Sequence, residues 1–183
     1  MPNQCLIVID MLNDFLERWD LESSHSLIAN TNNLISEFRS ANCPVLWVRQ
    51  AYRTDLSDAF LEMRDHNISI TIEGTRGAEI HSDLERHSAD IVITKKRYSA
   101  FFGTELDSIL NQFELEGITL AGVNTHACIR TTAIDAYQRD IRVTIAEDCV
   151  GSSDEKHGRL SLDYMNGGIA TVLPNKIISD ALM

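Results

Sequence analysis

An α/β fold, a three-layer α/β/α sandwich around a six-stranded, mostly parallel sheet, is predicted by three observations. Six short apolar runs are β-branched and continuous rather than alternating, as expected for strands covered on both faces. Helical patterns separate most of them, and β-α alternation marks a parallel sheet with helices on both sides. The length of 183 residues suits a substantial core, and no repeat, low-complexity stretch or linker divides it. A single Rossmann-like domain over residues 1–183 is the expectation.

Taken in order, the first strand is "CLIVID" (5–10) and the first long helical pattern is "SHSLIANTNNLISEFRSAN", with Leu27, Asn30/Thr31, Leu34/Ile35 and Phe38 at helical spacing. "PVLWVR" (44–49) is the second strand, and Trp47 within it reads as core. Residues 50–89 break the alternation, holding a weak helix in "DLSDAFLEMRD" and the turn-rich "EGTRGAEIH". An excursion that long is expected to cover a pocket or an oligomer interface. "DIVITK" (90–95) is the third strand. "GTELDSILNQF" is a helix with Thr104 as its N-cap and Leu106, Ile109, Leu110 and Phe113 on one face. "GITLAG" (117–122) leads into the helical "THACIRTTAIDAYQRD", which would carry Cys128 in its first turn. "RVTIAE" (142–147) is followed by a helix starting at Ser152 or Ser153 and stopping at Gly167/Gly168, and "IATVL" (169–173) closes the sheet.

Composition narrows the function. A net charge of −11 opposes a general affinity for nucleic acid or an anionic membrane, while leaving room for a local basic pocket. No run approaches ~18 apolar residues, and the N-terminus reaches a strand too quickly for a leader. A cytoplasmic location is expected. Cys5, Cys43, Cys128 and Cys149 are too scattered for a disulfide framework or a CxxC metal site. The first, second and fourth lie in or beside apolar strands and read as small buried hydrophobes.

Ligands of an open α/β sheet bind beyond the carboxyl ends of the strands. Asp10 ends the first strand, Lys95 and Lys96 end the third, and Cys128 follows the fourth. A thiol of pKa ~8.5 needs help to become a nucleophile, and a helix start and an ammonium both stabilise its thiolate. A carboxylate within reach can take the proton and return it to a leaving group, and amides at the turn can hold an oxyanion. On residue types alone each has an ordinary alternative: a turn-fixing Asp10, a solvated Lys95, a buried filler Cys128.

"GVNTHACIRTTAIDAYQRD" resembles the nucleophile motif of the isochorismatase-like cysteine hydrolases. "IVIDMLNDF", "EGTRGAEI" and "ITKKRYSAFFGTEL" resemble three further segments of that family, in the same order. The resemblance implies Asp10 as general base and acid, Lys95 as the orienting ammonium and Cys128 as nucleophile. It places Lys95 rather than Lys96 at the motif position three residues before Tyr98, leaving Lys96 as a solvated neighbour. It further implies an oxyanion hole from the backbone N–H groups of Asn124 and Cys128, and a cis bond between Val123 and Asn124. Phe15, Tyr98, Phe101 and His126 are the pocket candidates. Asp14 reads as a site residue, a cap or a surface residue, and Arg49, Arg53 and Arg64 as carboxylate contacts or solvated side chains.

Retention of Cys128 favours cleavage of an amide, ureido or carbamoyl C–N bond in a small-molecule substrate. "WVRQAYRTDLSDAFLEM" lacks the histidines of the family's metal-dependent nicotinamidases, so no metal and no cofactor are expected. "KKRYSAFFGTEL" also resembles the vinyl-ether-cleaving branch, which stands as the alternative. A catalytically silent oligomeric scaffold and a redox-responsive thiol protein, with Cys149 as the resolving partner, are the other readings. A homo-oligomer is expected because family members self-associate.

Overall fold

The computed structural model describes residues 3–182. Among them, strands β1 (Gln4–Ile9), β2 (Val45–Gln50), β3 (Ile91–Lys95), β4 (Gly117–Val123), β5 (Arg142–Gly151) and β6 (Thr171–Leu173) form one sheet in the order 3-2-1-4-5-6. Every adjacent pair is parallel, so the sheet is wholly rather than mostly parallel. The helices are α1 (Asn13–Leu16), α2 (Leu21–Ser40), α3 (Leu61–Asp65), α4 (Leu106–Gln112), α5 (Arg130–Tyr137), α6 (Glu155–Met165) and α7 (Asn175–Leu182).

β1 shows why the layers form. Its side chains are buried on both faces. Cys5, Ile7 and Ile9 join the core beneath α4, α5 and α6, while Leu6 and Val8 join the opposite core with Leu27, Ile28, Leu34, Ile35 and Phe38 of α2 and Ile178 of α7. Alternate residues of a strand point to opposite faces, so a continuous apolar run feeds two cores at once. A third cluster of Tyr52, Leu56, Ala59 and Met63, flanked by Phe60, Ile70 and Ile72, sits inside the 50–89 excursion.

Several boundaries differ from expectation, each for a local reason. α2 begins at Leu21 because Asp20 caps it, accepting the Ser23 N–H at 2.9 Å. α6 is capped by Asp154, which accepts the His157 N–H at 2.9 Å, rather than by Ser152 or Ser153. Glu105 holds the N-cap position of α4; Thr104 Oγ1 accepts the Leu106 N–H at 3.3 Å and donates to the Ala100 carbonyl at 2.5 Å. β5 runs on to Gly151 past a register shift, and the weak helix of the excursion contracts to α3. α1 and α7 carried no signal strong enough to read.

The sheet order reverses between β1 and β4, and a crevice opens at such a switch point. The two strands meet very closely there. Gly122 has φ +117, and a Cβ on it would lie 1.9 Å from the Ile9 carbonyl oxygen. Only glycine meets both conditions. Gly122→Ala should therefore cost about 2–4 kcal/mol from steric overlap and backbone strain combined. Urea unfolding of the variant checks this, and a loss below about 1 kcal/mol would show that the strands can part freely.

Candidate active site

Asp10 sits just beyond β1 with φ +54, a left-handed conformation uncommon for a residue with a side chain. Its N–H donates to the Val48 carbonyl at 2.8 Å, and its Oδ1 accepts the Gln50 N–H at 2.7 Å. The end of β2 therefore fixes the carboxylate. Lys95, the last residue of β3, reaches past β2 to the same place. Its Nζ lies 2.7 Å from Asp10 Oδ2 and 3.3 Å from Cys128 Sγ, and donates to the Arg97 carbonyl at 3.1 Å. Three contacts match the three donors of an ammonium. Both charged side chains are 0% exposed.

Cys128 comes from the other side of the switch point. It lies not in the first turn of α5 but in a π-helical turn, Thr125–Ile129, which joins β4 to that helix. Such wide turns concentrate at functional sites. The Val123–Asn124 peptide that opens the turn is cis, where the resemblance placed it. Thr125 Oγ1 donates to the Gly151 carbonyl at 2.9 Å, and Asn124 Oδ1 accepts the Ser153 N–H at 2.9 Å, fastening the turn to the end of β5.

The electrostatics run against the simple expectation of a resting thiolate. Burial, reinforced by the Asp10 carboxylate, pushes the Cys128 thiol up to about 12, and the Lys95 ammonium offsets this only in part. Burial also works against the charge on Lys95. The charges of Asp10 and Cys128 and its hydrogen bonds to both outweigh it, holding the ammonium above the ordinary lysine value. The resting site is thus an ion pair beside a protonated thiol. The Asp10 carboxylate is in contact with the lysine that touches the sulfur.

The other candidates disperse. Phe15 lines a cavity of about 890 Å³ with Trp19, Ile70, Val150 and Asn124. Asn124, which opens the turn carrying Cys128, lines that cavity, whereas Asp10, Lys95 and Cys128 are buried and do not. His126 is half-buried with Nδ1 against Ser152 Oγ, and burial lowers its pKa. Tyr98 is half-exposed and tilts against Phe60 at 4.9 Å. Phe101 is buried in the core, with the Arg139 guanidinium 4.5 Å over its ring, which is a packing position. Asp14 Oδ2 accepts the Thr71 N–H at 2.6 Å, tying the excursion down. Lys96 is no solvated neighbour: it pairs with Asp58 at 2.8 Å and donates to the Ala51 carbonyl. Arg49 donates to Thr94 Oγ1, and Arg53 and Arg64 are exposed. Cys149 belongs to the core on the opposite face of the sheet from Cys128, which removes it as a resolving thiol.

Sequence reading missed Tyr52, Phe60 and Gln50. Gln50 and Tyr52 could have been found by the strand-end rule, since they end and follow β2 as Asp10 follows β1. Among the described residues no three His, Cys, Asp or Glu side chains gather where they could hold a metal ion.

The isochorismatase domain model matches residues 4–176, nearly the whole chain. The chain belongs to the isochorismatase family. A probable inactive nicotinamidase of Arabidopsis thaliana is 34% identical over 92% of this chain and 91% of its own length. The crystal structure of an isochorismatase family protein from Desulfovibrio vulgaris superposes with a TM-score of 0.90 at 29% identity, covering 100% and 99% of the two chains. An N-carbamoylsarcosine amidase from Thermoplasma acidophilum gives 0.81 at 29% identity, covering 96% and 97%. Isochorismatase family members are hydrolases, amidohydrolases among them. Among the described residues no helix is long and apolar enough to cross a membrane.

Two measurements test the electrostatics. Lys95→Met strands a buried carboxylate and should cost about 3–5 kcal/mol, whereas Asp10→Asn/Lys95→Met should recover most of that loss. Urea titration of the three proteins decides, and an undiminished loss in the double variant would show that packing, not charge, is at stake. Alkylation of Cys128 by iodoacetamide, followed by peptide mass, should climb steadily from about pH 7 to about pH 11, because the protonated thiol is unreactive. A plateau reached near neutrality would reveal a preformed thiolate instead.

Proposed function

We propose that the protein is a metal-independent cysteine hydrolase that cleaves an amide, ureido or carbamoyl C–N bond of a small molecule. The observation that carries this reading is the single ammonium, Lys95 Nζ, in contact with both Asp10 Oδ2 and Cys128 Sγ inside a buried cluster. A structural ion pair has no use for a thiol at its centre, whereas nucleophilic catalysis requires that proximity.

In the proposed reaction Asp10 removes the thiol proton as Cys128 Sγ attacks the substrate carbonyl carbon. The C=O electron pair moves to oxygen, which the amides of Asn124 and Cys128 receive. Collapse re-forms the carbonyl and breaks the C–N bond, and the amine departs with the proton held by Asp10. Asp10 then takes a proton from water, hydroxide adds to the thioester, and the acid leaves as the thiol is restored. Because the thiol is protonated at rest, deprotonation and attack are coupled through Asp10. Lys95 stays charged throughout and keeps the carboxylate and sulfur aligned.

Cys128→Ala should lower turnover of a panel of small amides and ureides by about a thousandfold or more, with wild-type turnover indifferent to a chelator. Ammonia release is the assay. Isochorismate cleavage that survives loss of the thiol would replace this reading with the ether-hydrolase one. Silence of the wild type across the panel would favour the scaffold.

A further inference from the structure

Tyr52 is completely buried, yet its hydroxyl has no hydrogen-bond partner. Buried hydroxyls are normally paired, and an orphan is an exception that needs a cause. The residue is firmly held elsewhere. Its N–H donates to the Thr71 carbonyl at 2.8 Å, its own carbonyl accepts the Glu73 N–H at 2.7 Å, and its ring meets Phe60 edge-on at 6.3 Å. Phe60 in turn meets half-exposed Tyr98, so these three rings run from the surface inward.

Tyr52 follows β2 by two residues, and Gln50, the last residue of that strand, donates its N–H to Asp10. Burial holds the hydroxyl protonated, and after burial the charges of Asp10 and Cys128 act on it most, with Arg97 pulling the other way. The hydroxyl is therefore a fixed, neutral donor with nothing to donate to, on a residue two places beyond the one whose N–H binds Asp10.

Resting on the cysteine-hydrolase reading, we propose that the Tyr52 hydroxyl is a substrate-positioning donor selecting molecules that carry a second hydrogen-bond acceptor, a carboxylate or carbonyl oxygen, beyond the scissile carbonyl. A site with an unpaired buried donor discriminates against ligands that leave it unpaired. Simple alkyl amides are then poor ligands and acidic or amide-bearing ureides are good ones.

The test uses three probes, N-carbamoylglycine, N-carbamoylglycinamide and butyramide, titrated by ligand-observed NMR into Cys128→Ala and Cys128→Ala/Tyr52→Phe. Without the thiol no probe is consumed, so binding is read whether or not the wild type hydrolyses it. Loss of the hydroxyl should weaken the two ureides about tenfold, leave butyramide unchanged and leave the melting temperature equal or higher, since no bond is lost on folding. A larger loss for N-carbamoylglycine than for its amide assigns the acceptor as a carboxylate, and the reverse assigns a carbonyl. Equal weakening of all three with a lower melting temperature would make Tyr52 a packing residue, and unchanged ureide affinity, or no ureide binding at all, would overturn the proposal. Turnover of the same probes by the wild type reports separately on the hydrolase reading.

Discussion

Everything at the crevice depends on one unfavourable act, the removal of Asp10 and Lys95 from water. Each ion loses several kcal/mol of hydration, and their mutual attraction restores it only if geometry and remaining hydrogen bonds are nearly complete. The fold meets that demand from several directions. The Gln50 amide binds one carboxylate oxygen and the Lys95 ammonium faces the other, the Arg97 carbonyl and Cys128 sulfur complete the ammonium, and three parallel strand ends hold the parts in register. The strand order follows the same demand, because only a 3-2-1-4 arrangement sets the ends of β1 and β4 side by side with β3 one strand away.

The excursion between β2 and β3 is tied down beside the buried pair. It is no loose loop: Asp14 grips Thr71, Lys96 grips Asp58 and the Ala51 carbonyl, and Gln50 Nε2 donates to Thr71 Oγ1 at 3.3 Å. Its small apolar cluster packs Phe60, Ile70 and Ile72 against Tyr52, Leu56, Ala59 and Met63. Polar clamps at the margins and an apolar plug in the middle together exclude solvent where the ion pair needs it excluded.

The sheet was legible in the sequence because strands covered on both faces carry continuous apolar runs, as Cys5–Ile9 of β1 and Val45–Val48 of β2 do. Asp10, Lys95 and Cys128 were legible from their places at strand ends, strengthened by the family resemblance. Other features depend on partners distant in sequence. Asp154 outcompeted Ser152 and Ser153 as a cap because Ser152 was engaged by His126 and the Ser153 N–H by Asn124. Asp14, Lys96 and Tyr52 acquire their roles only when the excursion folds back. The thiol's proton affinity reversed for the same reason: helix position and a nearby lysine argued for a thiolate, and complete burial, which no local pattern encodes, decided otherwise.

The closed position of Cys128 also governs its durability. Peroxides attack thiolates at accessible sulfurs, and this sulfur is 5% exposed, in contact with Lys95 and held toward its protonated form by burial. In the proposed reaction its reactivity is conditional on the proton transfer that accompanies attack on a bound carbonyl. Between encounters the thiol is chemically quiet, so oxidative damage to the idle protein should begin at half-buried Cys43, remote from the crevice, and leave the reactive centre intact.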